Sequence, residues 1–318
     1  ITTSNSLLDK KARSYPHFET YLNILSLFAN SPQKFKGYDH WENALLSMLN
    51  EKKSKLTDIH KFLIFTENLI SGNILYKSAS TLWKSNHDDY ILDFHEGIIK
   101  IRFNNLNLTC EAKGDSITLF NTSGIYDPIE NTWQGKGGIV TWERCGLHPD
   151  SVNAKLNTYT IDMKKSLYEA DSVKFINKLF YNKYLTGKIE DKVMTITEPS
   201  RSSYPRFSSY ETRIEIKDIF NDIDYNGGFS MRGAKLIGSG SELEDAHISI
   251  HRKIEVEENG VIRIEKILFL KASSKFYTFQ EDEIVGRNTS ISMYLDKDSI
   301  FHPGLLFRYY NKKREVNL

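Results

Sequence analysis

With 318 residues, the chain has room for two or three hydrophobic cores, each able to bury most of its apolar surface. Hydrophobic residues make up 40% of it and aromatics 12%, more than a disordered polymer carries, so the chain reads as globular. The 42 lysines and arginines nearly cancel 41 aspartates and glutamates, and a net charge of +1 gives no global field toward nucleic acid or an anionic membrane, so any binding must be local and nucleic acid is not expected as a partner.

No stretch approaches the roughly 18 apolar residues needed to cross a bilayer, and no membrane span is expected. The sequence opens Ile1-Thr2-Thr3-Ser4, which fits a mature product after signal removal or a piece of a longer polypeptide. Two cysteines, Cys110 and Cys145, permit one disulfide in an oxidising compartment or two buried thiols in any compartment. If the chain is extracytoplasmic, pairing is the expectation.

In chain order, Phe18, Tyr21, Leu22, Leu25 and Phe28 fall at helical spacing and Ser31-Pro32 supplies a stop. Asp39, with Glu42 three residues on, forms a variant capping box before Trp41, Ala44, Leu45, Met48 and Leu49. Thr57 caps a third stripe, Ile59, Phe62, Leu63, Leu69 and Ile70, with Gly72 placed for a left-handed stop. Leu75, Ala79, Leu82 and Trp83 suggest a fourth helix. A helical module over residues 1–89 follows, separable at the polar stretch Ser85–Asp89.

From about Tyr90 the hydrophobic period becomes two, with turn residues every eight to twelve positions, the pattern of consecutive antiparallel strands. Leu106, Leu108, Cys110 and Ala112 alternate with polar neighbours, and Gly114-Asp115 turns the chain. Residues 90–196 form one β-rich region and 210–318 a second, divided by the polar stretch Thr197–Ser209. The clearest hairpin brings Ile254–Glu257 against Val261–Ile264 across Glu258-Asn259-Gly260, since Asn-Gly adopts the positive φ angles of a tight turn. The fold class is therefore α+β: a small N-terminal helical module, then a long antiparallel β-rich region of solenoid, jelly-roll or sandwich type.

Chemical motifs fail their spacing tests. Gly233 to Gly238 has the first spacing of a phosphate loop, but Ser239-Gly240 stands where Lys and Ser or Thr are required. Gly228-Phe229-Ser230-Met231-Arg232 lacks the second glycine of a nucleophile elbow. His95-Glu96 opens like a zinc-protease helix, yet Ile99 occupies the place of the second histidine. His247 and His251, on the same face of a strand, are the candidate metal ligands, with a third to come from Glu242, Glu244 or Asp245. No cofactor is expected, and no catalytic constellation is identified, so the leading reading is non-enzymatic. Tyr126, Trp133 and Trp142 surround Gly135-Lys136-Gly137-Gly138, and this segment is expected to be an exposed recognition turn where rings stack on sugars and Lys136 donates.

Ser123-Gly124-Ile125-Tyr126-Asp127-Pro128, Trp133-Gln134-Gly135-Lys136-Gly137-Gly138 and Val140-Thr141-Trp142-Glu143-Arg144 together resemble uncharacterised large secreted proteins of Bacteroidetes, over about residues 90–240. The alternation of alanine, Asp-Ser, strand and glycine also resembles β-taco or jelly-roll modules of envelope lipid-transport proteins. The resemblance carries no catalytic residues and implies an extracytoplasmic location, periplasmic, surface or secreted. The expected function is a non-enzymatic structural or interaction segment of such a protein, its partner a glycan or another envelope protein. The alternatives are a glycan-binding or carbohydrate-active protein and a lipid-binding β groove.

Overall fold

Four helices come first: α1 (Thr2–Asp9), α2 (Glu19–Ala29), α3 (Tyr38–Asn50) and α4 (Leu56–Gly72). They belong to a computed structural model that describes residues 2–317 apart from 32–36, 88, 96–97, 196–201, 212–213, 221–222, 240–245, 251–254, 257–260, 264–269, 274–275, 281–282, 288–289, 295–306 and 311–314. For residues 218–227 and from 235 onward it describes backbone alone.

The predicted stripes on α3 and α4 are buried as a set, joined on α4 by Phe65 and Thr66. On α2 the buried face is Tyr21, Ile24 and Phe28, while Leu22 is 57% exposed, so the stripe is rotated from its expected position. The left-handed stop after α4 is Asn73 (φ 56°), one residue beyond the predicted Gly72; asparagine is the common substitute for glycine there. Trp41 Nε1 donates to Thr66 Oγ1 at 3.0 Å, locking α3 to α4 inside the core.

The expected fourth helix is a β-hairpin, β1 (Ile74–Lys77) and β2 (Leu82–Ser85). Ser78 explains the difference: its Oγ accepts from the amides of Ser80 and Thr81, a local side-chain bond that competes with the helical ladder. The true additional helix is α1, which periodicity did not reveal.

Antiparallel strands follow: β3 (Ile91–His95), β4 (Ile98–Ala112), β5 (Asp115–Asp127), β6 (Thr132–Lys136), β7 (Ile139–Thr141), β8 (Val152–Lys155), β9 (Thr158–Asp162), β10 (Leu167–Asn177), β11 (Tyr181–Lys192) and β12 (Arg206–Ser209). Beyond them run β13 (Ile214–Phe220), β14 (Ile223–Arg232), β15 (Lys235–Ser239) and β16 (Ala246–Ile250), with further short strands to Asn317. The expected late hairpin is present, with Glu255 opposite Arg263 and Val256 opposite Ile262. Its turn residues lie outside the described residues. The chain is α+β, N-terminal helices followed by antiparallel sheet.

Its compact units do not follow the expected boundaries. One comprises residues 1–140, 156–170 and 192–196, the other residues 141–155, 171–191 and 197–318. In the first, β4 pairs with β3, β2 and β5, β5 pairs with β6, and β6 with β9. The helices pack on these strands: the Phe65 and Tyr126 ring centroids are 5.3 Å apart, and Lys61 Nζ donates to the Ile129 carbonyl at 3.1 Å. The module of residues 1–89 is thus no separate core, because α4 packs on the sheet. The second unit centres on Trp142, Phe175, Phe207 and Phe229, with Phe175 stacked on Phe207 at 4.2 Å.

Candidate functional site

The glycine-rich segment is built around a close aromatic fit. β5 pairs with β6 so that Gly124 faces Gly135 and Tyr126 faces Trp133, and β6 pairs with β9 so that Gly135 faces Tyr159. A Cβ on Gly124 would sit 2.5 Å from Trp133 Cζ2, and one on Gly135 would sit 2.1 Å from Tyr159 Cζ. These glycines are therefore the space into which two rings fold across the sheet. Gly137 (φ 70°) and Gly138 (φ 112°) serve the turn itself, where the Gly137 amide donates to the Asn157 carbonyl at 2.7 Å.

A polar network closes over the rings. Trp133 Nε1 donates to the Tyr159 hydroxyl at 3.3 Å, and that hydroxyl is hydrogen-bonded to Thr122 Oγ1 at 2.6 Å. Thr122 Oγ1 also contacts the Gly137 carbonyl at 3.1 Å, and the Tyr126 hydroxyl donates to Asn131 Oδ1 at 3.0 Å. Burial pushes the phenols of Tyr126 and Tyr159 up from their ordinary values, since a phenolate there would lose its hydration. Beside them, burial also raises Asp127, but the Lys100 ammonium and the amides of Glu130 and Ile129 outweigh it and hold the carboxyl below its ordinary range.

This arrangement corrects the expected recognition turn. Tyr126 is 1% exposed and Trp133 0%, so neither offers a face to a sugar ring. Lys136 is exposed, yet along β6 burial alternates, which puts Trp133 and Lys136, three residues apart, on opposite faces. They cannot meet on one ligand. Trp142, in the other unit, is also 0% exposed and packs edge-on against Phe175 at 5.1 Å. Period-two alternation was available to reveal this, since it puts Trp133 in phase with the inward Gly135.

Of the expected metal pair, His247 lies on β16, opposite Asn226 of β14, and His251 lies outside the described residues. Among the described residues no group of three or more His, Cys, Asp or Glu is disposed to hold a metal ion. Cys110 and Cys145 are buried thiols, not a disulfide. Cys145 Sγ donates to the Tyr204 carbonyl at 3.0 Å, and Cys110 stands in register between Trp83 and Ile117. Both act as small apolar side chains in a core, which removes the expected pairing.

In the first unit a cavity of about 410 Å³ is walled by Phe28, Trp41 and Leu69, with His40 and Asp89 supplying polar groups. The fold and these sites define an α+β protein with glycine-backed aromatic cores. Comparison of the chain with known protein families, with curated proteins and with solved structures finds no match.

Proposed function

We propose that this chain is a non-enzymatic structural or interaction segment of an extracytoplasmic protein. The observation that carries this reading is the use made of the glycine and tryptophan motifs. Gly124, Gly135 and Trp133, together with Tyr159, interlock across β5, β6 and β9 with their polar atoms bonded to one another. Cross-strand pairs of this kind stabilise a sheet, the property a structural segment needs. Supporting it is the resemblance of the same segments to large secreted proteins of Bacteroidetes, which implies an envelope or surface location.

The reading is tested by fractionating cells that express the natural gene and detecting the chain with antibody. Recovery from periplasm, outer surface or medium is the expected result, and recovery wholly from cytoplasm overturns it.

A further inference from the structure

We infer that the turn joining β10 to β11, with the strand faces beside it, docks on the surface of an anionic lipid bilayer. This goes beyond the envelope reading and stands without it, because purified chain and vesicles decide it.

From Ser172 to Ile189 the chain has four lysines, Lys174, Lys178, Lys183 and Lys188, and no carboxylate. The register adds another: Lys155 of β8 stands directly opposite Lys174 of β10, and residues so opposed share a face. Both are exposed. Like charges directly opposed across strands are unfavourable, so folding gains nothing from this pair. Lys155 Nζ lies 5.2 Å from the centroid of Tyr184, and Lys183 Nζ lies 5.9 Å from that of Tyr181. Among the described residues no carboxylate pairs with Lys155, Lys174, Lys178 or Lys183. Asp150, on the loop whose Ser151 carbonyl holds the Lys178 amide, stands 3.7 Å from His148.

Charge alone would suit any polyanion, and the tip of the turn decides between them. Leu179 is 47% exposed there, and Tyr184 is 48% exposed on the strand that leaves it. The tip is held in place: Asn177, 1% exposed, accepts the Leu179 amide on its Oδ1 at 3.1 Å, and the Lys178 amide donates to the Ser151 carbonyl at 2.9 Å. An exposed aliphatic side chain on a held turn gains nothing from a soluble polyanion. At a bilayer it enters the boundary of the hydrocarbon, tyrosines sit at headgroup level, and lysines meet lipid phosphates. Lys174 is three residues from the strand end, about 10 Å at some 3.3 Å per residue, which is about one Debye length at 0.1 M salt, so it feels an attenuated surface potential. The chain's net charge of +1 leaves this local patch to do the work.

The test is cosedimentation of the full chain with vesicles of phosphatidylcholine, with and without 30% phosphatidylglycerol. Binding is expected only to the anionic vesicles and should disappear at high salt. Lys174→Glu changes the charge by two and, at about one Debye length from the surface in 0.1 M salt, should weaken binding about three- to fourfold. Its melting temperature should stay level or rise, since the new carboxylate would face Lys155. Leu179→Ser should weaken vesicle binding while leaving retention on a heparin column unchanged. No binding to anionic vesicles overturns the inference. So does vesicle binding that Leu179→Ser leaves intact, which would reduce the patch to charge alone, or single-stranded DNA binding tighter than that to vesicles, which would assign it to a soluble polyanion.

Discussion

Each unit buries a tryptophan completely, and the two are treated differently. In the first unit Trp133 donates its indole hydrogen to Tyr159, within a network that also satisfies Thr122. In the second, Trp142 lies among Phe175 and its stacked partner Phe207, and its Nε1 is buried with no hydrogen-bond partner among the described residues. The difference teaches that an indole can serve as a specified joint or as bulk apolar filling. A joint fixes neighbours through direction as well as volume. Filling contributes area and carries a desolvation cost of about 1–3 kcal/mol for the unpaired donor.

Truncating either ring has the largest effect. Trp133→Ala and Trp142→Ala should each cost about 3–5 kcal/mol, because both rings leave a large cavity in a packed core. Urea unfolding of the two variants is the measurement. A loss below about 1 kcal/mol in either would mean that its ring sits at the surface.

The glycine beneath the joint comes next. At Gly135 a methyl group meets the Tyr159 ring at 2.1 Å, so Gly135→Ala should cost about 1–3 kcal/mol through overpacking, in spite of the better strand propensity of alanine. At Gly137 a Cβ meets nothing within 4 Å, and alanine there is opposed only by φ 70°. Melting temperatures should rank Gly135→Ala below Gly137→Ala.

Phenylalanine substitution sharpens the contrast between joint and filling. Trp133→Phe loses ring volume and a buried hydrogen bond, whereas Trp142→Phe loses similar volume and removes an unpaired donor. Trp133→Phe should therefore be the more destabilising by about 1 kcal/mol or more in the same urea titration. Equal losses would show that the Trp133 bond contributes nothing.

The sequence disclosed the class of fold and much of the core, because helical and strand periods are written directly in residues such as Trp41, Leu45 and Met48 or Leu108 and Cys110. It did not disclose what the glycines were for. Gly124 and Gly135 lie eleven residues apart and meet only through the register of β5 with β6, and the ring filling their space belongs to Tyr159 on a third strand. Pairing across strands is a long-range fact with no local signal. The hairpin at Ser78 was hidden for a different reason, since Leu75, Leu82 and Trp83 satisfy helical spacing and a single serine overrides them. The lysines near Leu179 were legible as a carboxylate-free stretch, but the opposition of Lys155 to Lys174 again required the register.

The smallest expected effect concerns two histidines in the first unit, which set a limit on its acid tolerance. The rings of His17 and His60 lie 4.9 Å apart, and burial first, then the charge of His17, lowers the pKa of His60 from 6.5. Its unfolded form thus binds a proton more readily than its folded form. The sign follows by linkage: the contribution of neutral His60 is fully present above the unfolded value and is lost as pH falls through the lower folded one. Stability should therefore decline from pH 7 toward pH 5, with part of the decline specific to this pair. His60→Gln, which cannot take up a proton, should flatten that part, and His17→Gln should flatten it less, because the burial of His60 would remain. The measurement is the urea midpoint of the three proteins at pH 5 and pH 7. An unchanged slope in His60→Gln would move the acid sensitivity to other groups and leave the histidine contact as simple packing.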